Sequence, residues 1–417
     1  MKTRRSGWNR GGTIGRWLAC VATMCLPLSG RSADEQELLE ILRSNAGPVA
    51  KAEACKELRV YGSAAAVDAL AALLGDARVA HAARHALEGL PFVEATRALR
   101  DAVGRLKDAE RLGVVDSLGW RRDAESVPVL LPLLKDSDPT TAGAAATALG
   151  RIASDAAVAA LRKEKDRVPV MVRRAAIEGL LTAAEVRAGA GRLAEARALY
   201  AELVEPGEEP GIRVAAHLGA MRASDDGGLA AVVEALQGKD PDAQLAALAA
   251  APGLRSEGAT AALAGLLSRT SDAVRVGLLG ALRQRRDGAA MDAVLRASGS
   301  TNAAVRWAAL SALGDLGDAT AIPALVSAAA SMDPEEQTVA RESLAVLRRG
   351  DVDGGLIAAL GTVDASARRE VFRALAARGD SRAAPALIDL ARGEDPGTRG
   401  GALQALGALA EPKHMAA

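Results

Sequence analysis

Arginine recurs in this chain with a period. Arg173, Arg213, Arg275, Arg306, Arg368 and Arg399 stand in similar contexts, separated by 40, 62, 31, 62 and 31 residues. A period of 31 accounts for every interval except the first, which is nine residues longer. The two positions skipped by the 62-residue intervals, Gln244 and Gln337, hold a polar side chain of similar reach. Arg111 lies 62 residues before Arg173, and weaker copies centre near Ala83 and Lys51, giving about twelve copies. Proline keeps the same register: Pro128, Pro323 and Pro385 are 195 and 62 residues apart, and 195 is six periods plus the same nine. A unit of roughly 20–50 residues cannot bury its own apolar face and must stack on its neighbours. The period therefore restricts the chain to a solenoid or a similar array.

Within one unit the spacing is helical. Val305, Ala308, Ala309, Ala312, Leu313 and Leu316 fall on one arc of a 3.6-residue helix, and "GDLGD" (314–318) is predicted to break it. Ile322, Leu325, Val326 and Ala329 form a second, shorter stripe. Asp138, Asp240, Asp333, Asp364 and Asp395, with Asn302 in this copy, precede the marker position by four, the place of a helix N-cap. Pro128, Pro323 and Pro385 each begin an apolar run, where a proline in the first helical turn costs nothing. Composition fits a helical interior: 49% of residues are apolar but only 2% aromatic, so the core is built from Ala, Leu and Val. A β-sandwich would need more aromatic and β-branched residues.

The pattern "DPxxR…A…ALG…GD…A…PAL" resembles the HEAT repeat, in the short form of the phycobilisome lyases and of large exported bacterial HEAT-repeat proteins. The resemblance covers roughly residues 49–417, and "KAEACKELRVYGSAAAVDALAALLGD" followed by "RVAHAARHALEGLP" is most like the start of those exported arrays. It implies an all-α, right-handed α-solenoid of about twelve helical hairpins whose concave face binds a macromolecule. The nine extra residues lie between Arg173 and Arg213, where "RAGAGRLAEARALYAELVEP" (187–206) resembles a tetratricopeptide-like hairpin. Gly191 would sit at its turn, with Ala196 and Tyr200 on the next helix; a lengthened HEAT hairpin is the alternative. The expected organisation is a signal peptide (1–32), a lead-in (33–48), HEAT-like repeats (49–186), the insertion (187–210) and further repeats (211–417), the last incomplete.

The signal peptide is read from a basic start (Lys2, Arg4, Arg5, Arg10, Arg16) and the apolar run "WLACVATMCLPL" (17–28). That run is too short to span a bilayer, and Gly30 and Ser32 stand at small-x-small spacing for cleavage after Ser32. The chain is thus expected in the periplasm or outside the cell, by the general secretory or the twin-arginine route, with no transmembrane segment after cleavage. The whole chain has 52 basic and 52 acidic residues, but its first 32 hold six basic ones and no acid, so the remainder carries a net charge of −6. Such a charge is ill-suited to phosphate backbones. Cys20 and Cys25 leave with the signal, and Cys55 alone cannot form an internal disulfide.

Candidate chemistry is sparse. "HAARH" (81–85) puts two histidines at i and i+4, with Glu88 a turn on, but no HExxH and no nearby further ligand completes a metal site. His85 falls in the column of Ala308 and is expected to pack against a neighbouring helix. Cys55 falls in the largely aliphatic column of Leu310 and reads as packing. His217 and His414 sit in no catalytic motif, and there is no P-loop, dinucleotide fingerprint or haem motif. No catalytic residue, cofactor or metal is therefore assigned.

The marker arginines Arg111, Arg173, Arg213, Arg275, Arg306, Arg368 and Arg399 are read as a structural ladder, each pairing with a carboxylate of its own or the adjacent repeat. The outward face of each second helix carries the columns of Trp307 and Ser311. The Ser311 column is acidic through the early repeats, including Glu88, Asp116 and Glu178. No basic stripe with interleaved aromatics appears, so nucleic acid is not expected. Trp307, Trp120, Glu88, Asp116 and Glu178 are the candidate partner-binding residues, the two tryptophans as exposed hot spots. The expected function is a non-enzymatic, extracytoplasmic scaffold for a protein or other macromolecule. The alternatives are the N-terminal scaffold of a longer enzyme or redox protein, and a bilin-lyase-like chaperone.

Overall fold

The computed structural model describes residues 29–165 and 170–410, so the expected signal peptide (up to residue 28) and the last seven residues lie outside it. The described residues hold 24 α-helices joined by short 3-10 turns, with no β-strand. They divide into two compact units, up to Ala183 and from Ala184 onward. The first contains α1 (Ser29–Arg43), α2 (Pro48–Tyr61), α3 (Val67–Ala71), α4 (Ala80–Gly89) and α5 (Val93–Val103). It continues with α6 (Asp108–Arg121), α7 (Val127–Leu130), α8 (Pro139–Ile152), α9 (Asp155–Glu164) and the first part of α10 (Val170–Gly189).

The second unit holds the end of α10, then α11 (Leu193–Ala201), α12 (Pro210–Arg222), α13 (Leu229–Gln237), α14 (Pro241–Ala250) and α15 (Ala259–Leu266). Next come α16 (Asp272–Arg285), α17 (Met291–Ala297), α18 (Ala303–Leu316), α19 (Ile322–Ala329) and α20 (Pro334–Val346). The unit closes with α21 (Val352–Ala359), α22 (Ala365–Arg378), α23 (Ala384–Ala391) and α24 (Pro396–Leu409).

Each unit is an all-α stack of two layers. In the layer of longer helices, α2 packs on α4, α4 on α6 and α6 on α8; in the second unit α12, α14, α16, α18, α20, α22 and α24 follow the same rule. The shorter helices form the other layer, as in α3 on α5, α13 on α15 and α19 on α21. Leucine and alanine fill the space between: Leu58, Leu87, Leu118 and Leu149 are fully buried in the first unit, Leu278, Leu313, Leu344 and Leu375 in the second.

The expected caps are present. Asp138, Asp240, Asp333, Asp364 and Asp395 each accept from first-turn backbone N–H groups, and Asn302 accepts from Val305. Pro128, Pro323 and Pro385 occupy the first turns of α7, α19 and α23. The predicted break at 314–318 needs correction. Helix α18 runs on to Leu316, and the chain leaves it only at Gly317. Gly314 is helical because it serves another purpose: a Cβ there would stand 2.9 Å from the Ser343 Cα of the next long helix. Gly150 makes the same approach to Gly179, at 2.6 Å from its Cα. Asp318 does not end the long helix but caps the 3-10 turn Ala319–Ala321, as Asp123, Asp287 and Asp380 do in their copies.

At the insertion, α10 has 20 residues where other long helices have about 14, and the left-handed Gly191 (φ +78°) turns the chain into α11. Ala196 and Tyr200 are buried on α11, and Tyr200 packs over Gly219 of α12, where a Cβ would lie 2.3 Å from the ring. The lead-in is occupied by α1, whose Glu35 accepts a hydrogen bond from the Ser63 backbone at 2.6 Å.

Candidate functional site

Two columns of arginine organise the stack, only one of which the sequence spacing singled out. The marker column closes the turn before each long helix. Arg306 donates to the carbonyls of Ser300 and Thr301, Arg368 to Leu360 and Val363, and Arg399 to Gly393. Gln244 and Gln337 make the same bond, to Gly238 (2.8 Å) and Ser331 (2.6 Å), which explains why glutamine replaces arginine there. Contact with the next repeat is the variable part. Arg111 pairs with Asp136 (3.3 Å), Arg213 with Asp242 and Arg306 with Glu336 (3.2 Å), all on the following unit. Arg368 instead meets the Thr398 hydroxyl, and Arg275 pairs with Asp272 of its own helix (2.9 Å). Arg173 is half-buried on α10.

The second column consists of Arg121, Arg285 and Arg378, ten residues past the marker. Arg285 Nη1 donates to the carbonyls of Ala251, Pro252 and Leu254, while its Nε donates to Thr260 Oγ1. Arg121 repeats this on Leu87, Glu88 and Leu90 with Thr96, and Arg378 on Leu344 and Leu347 with Asp353. Each guanidinium thus satisfies the free C-terminal carbonyls of the long helix one repeat earlier, where the helix dipole also favours a cation. Burial pulls the Arg121 guanidinium below its ordinary value. Spacing could have revealed this column, since 121, 285 and 378 are 164 and 93 apart, again multiples of 31 with one nine-residue excess.

The candidate partner residues do not form one group. Trp120 is 58% exposed, whereas Trp307 is only half-exposed at most, and its indole N–H is buried without a hydrogen-bond partner. Trp307 is therefore not the exposed hot spot expected of it; it lies in the second unit, wedged into its helix layer. Glu178 is exposed on α10 and pairs with Arg174 a turn before it (3.0 Å).

Glu88, Asp116 and Trp120 do come together, in the first unit. With Arg59, His81, Arg84, His85, Gly89 and Arg121 they line a cleft of about 530 Å³ along α2, α4 and α6. Glu88 accepts from Arg84 (3.0 Å), from the Ser117 hydroxyl (2.5 Å) and from His85 Nδ1 (3.2 Å). Asp116 pairs with Arg151, whose guanidinium also lies 4.5 Å over the Trp120 ring. His85 does not pack against a neighbouring helix. It is exposed and stacked on His81, ring centroids 6.1 Å apart and nearly parallel. The Ala308 column sits at the edge of the packing stripe, so a small side chain there is half covered while an imidazole projects beyond it.

The histidine geometry argues against metal. Arg84 can only donate, so His81 Nδ1 (2.8 Å away) accepts and the ring proton resides on Nε2. Neutral His81 then has no free lone pair, and the two-histidine chelate is blocked. Among the described residues no group of three His, Cys, Asp or Glu side chains is placed to hold a metal ion. Cys55 is buried, and that burial pushes its thiol up to about 11 against the opposing pull of Lys51, so it is a packing group and not a nucleophile. No described helix is long and apolar enough to cross a membrane.

A family profile of HEAT repeats matches residues 98–181, 261–345 and 354–417, more than half of the chain. The chain belongs to the HEAT-repeat family. No curated protein matches it in sequence. Among solved structures it is similar to Kap121p bound to Ste12p, at 12% identity and a TM-score of 0.47, covering 89% of this chain and 48% of that one. Kap95p, from its complex with RanGDP, matches at 13% identity and a TM-score of 0.45, over 94% and 62% of the two chains. Human deoxyhypusine hydroxylase matches at 19% identity and a TM-score of 0.28, over 87% and 99%. The chain thus spans about half the length of Kap121p, and identities this low speak to fold alone.

Proposed function

We propose that this chain is a non-enzymatic HEAT-repeat scaffold, exported from the cytoplasm, that binds a protein partner along the face of its long helices. The observation that carries the reading is the cleft of α2, α4 and α6, which gathers an exposed tryptophan, charged side chains and two histidines without assembling a nucleophile, a base and an orienting group. Exposed aromatic and arginine side chains beside a concavity are the usual anchors of a protein interface. The caps, carbonyl-closing arginines and small-residue contacts elsewhere are all consumed by the stack itself, leaving this face available.

The test is capture from an extracytoplasmic extract on immobilised protein, with a Trp120→Ala chain in parallel. One partner retained by the parent chain and depleted by the variant is the expected result. No partner across a range of salt and pH would sink the scaffold reading. Export is tested separately: N-terminal sequencing of the protein from its host should begin at residue 33, and a mature chain starting at Met1 in the cytoplasm would refute it.

A further inference from the structure

The cleft has more donors than it uses. Its two carboxylates are both occupied, Glu88 by Arg84, Ser117 and His85, and Asp116 by Arg151. Against these two stand four arginines, Arg59, Arg84 and Arg121 in the lining and Arg151 at its edge. Arg59 is exposed and has no ion-pair or hydrogen-bond partner among the described residues. Its position is nonetheless defined, because its stem lies over Gly89: a Cβ there would stand 2.5 Å from Arg59 Cγ. Arg84 lies over Gly113 in the same way, at 2.7 Å from Nε. His81, fixed with its proton on Nε2, adds a further donor. Trp120 contributes an exposed aromatic surface whose orientation Arg151 holds.

We infer that this cleft, as part of the scaffold reading above, is a subsite for an acidic peptide segment of the partner, its carboxylate taken by Arg59 and an adjacent apolar side chain lying against Trp120. Unspent guanidinium and imidazole donors select an anion. A volume of about 530 Å³ holds a few residues and not a folded surface. A polyphosphate chain is disfavoured by what surrounds the cleft. The neighbouring outward positions Lys56, Thr147 and Glu178 are mixed in sign, so no basic track extends along the helices for a nucleic-acid backbone to follow.

The probe is a fluorescein-labelled, acetylated decapeptide of alternating glutamate and glycine with two central phenylalanines, titrated into the full chain and followed by anisotropy. The same peptide with glutamine for glutamate is the control. The glutamate peptide is expected to bind and the glutamine peptide to bind at least about tenfold more weakly, with affinity falling as salt rises. Arg59→Glu and Trp120→Ala should each weaken binding about tenfold, while Arg97→Glu, an exposed position on α5 outside the cleft, leaves it unchanged. If Arg59→Glu does not fold by circular dichroism, Gly89→Ala provides the second variant, since its Cβ displaces the Arg59 stem and should give the same loss. Equal binding of the two peptides, or no effect of Arg59→Glu or Gly89→Ala in a folded chain, overturns the assignment. Displacement of the glutamate peptide by inorganic phosphate or oligothymidylate at lower concentration than by its own unlabelled form also overturns it. A partner captured from extract that binds the parent and the Arg59 variant equally would leave the scaffold standing and remove only this subsite.

Discussion

At the scale of single residues, the rules that hold are local ones. A cap needs one side-chain oxygen and three free N–H groups, all within four residues, so Asp138, Asn302 and Asp364 could be placed from spacing alone. Those bonds carry a pH signature. Backbone N–H groups of Ala367 and Ser366 hold the Asp364 carboxyl below its ordinary value, and the Thr398 hydroxyl does so first for Asp395. A carboxyl lowered in the folded state stabilises fully above its unfolded value near 3.8 and loses that contribution as pH falls through the lowered value. Melting temperature should therefore drop between about pH 4 and pH 2, and Asp364→Asn, which still caps but cannot titrate, should flatten part of that drop. A slope identical in parent and variant would remove Asp364 from the account. Cys55 offers a second check. In a chain with Cys20 and Cys25 replaced by serine, a thiol reagent at pH 8 should label the native protein at least about a hundredfold more slowly than the denatured one, and equal rates would contradict its burial. Exposure is where local rules fail. Trp120 and Trp307 look alike in sequence, but how far each indole stands clear depends on side chains of neighbouring repeats, which spacing does not weigh.

At the scale of helices, the "ALG" glycine changes meaning. It reads as a helix breaker, yet in α8 and α18 it lies inside the helix and lets the next long helix approach. Gly150→Ala should destabilise by about 1–3 kcal/mol, since its Cβ would meet the Gly179 backbone at 2.6 Å. Gly143→Ala on the same helix meets only Ala175 Cβ at 3.7 Å, and should be neutral or stabilising by up to about 1 kcal/mol. Chemical denaturation of the two variants, side by side, reads the difference. The carbonyl-closing arginines allow a similar contrast. Arg285→Ala strips Ala251, Pro252 and Leu254 of their donor and should cost about 1–3 kcal/mol. Arg285→Leu should cost less, because Leu316 and Leu347 fill the equivalent position one and two repeats later. This column escaped sequence reading because leucine and arginine alternate in it, and a mixed column looks like an imperfect core position.

At the scale of the whole molecule, the period was legible because every repeat must satisfy the same neighbour. The cleft was not, because it depends on which columns lie side by side: Arg59, Arg84 and Arg151 come from three helices and share no periodic mark. Nearest-neighbour construction predicts tolerance to loss of a complete unit. Deleting residues 303–333 joins Asn302 to Pro334 in register and should leave helicity per residue unchanged by circular dichroism. Deleting 303–317 shifts the register and should reduce helicity; equal behaviour of the two deletions would contradict a modular stack.

The arginines that close carbonyls reach backwards, from Arg121 to Leu87 and Leu90 and from Arg378 to Leu344 and Leu347. A chain made from its N-terminus therefore cannot finish one of these helices until some thirty further residues have left the ribosome. Assembly of the stack would trail synthesis by one repeat at those points, with each newest helix held open until its successor arrives to lock it.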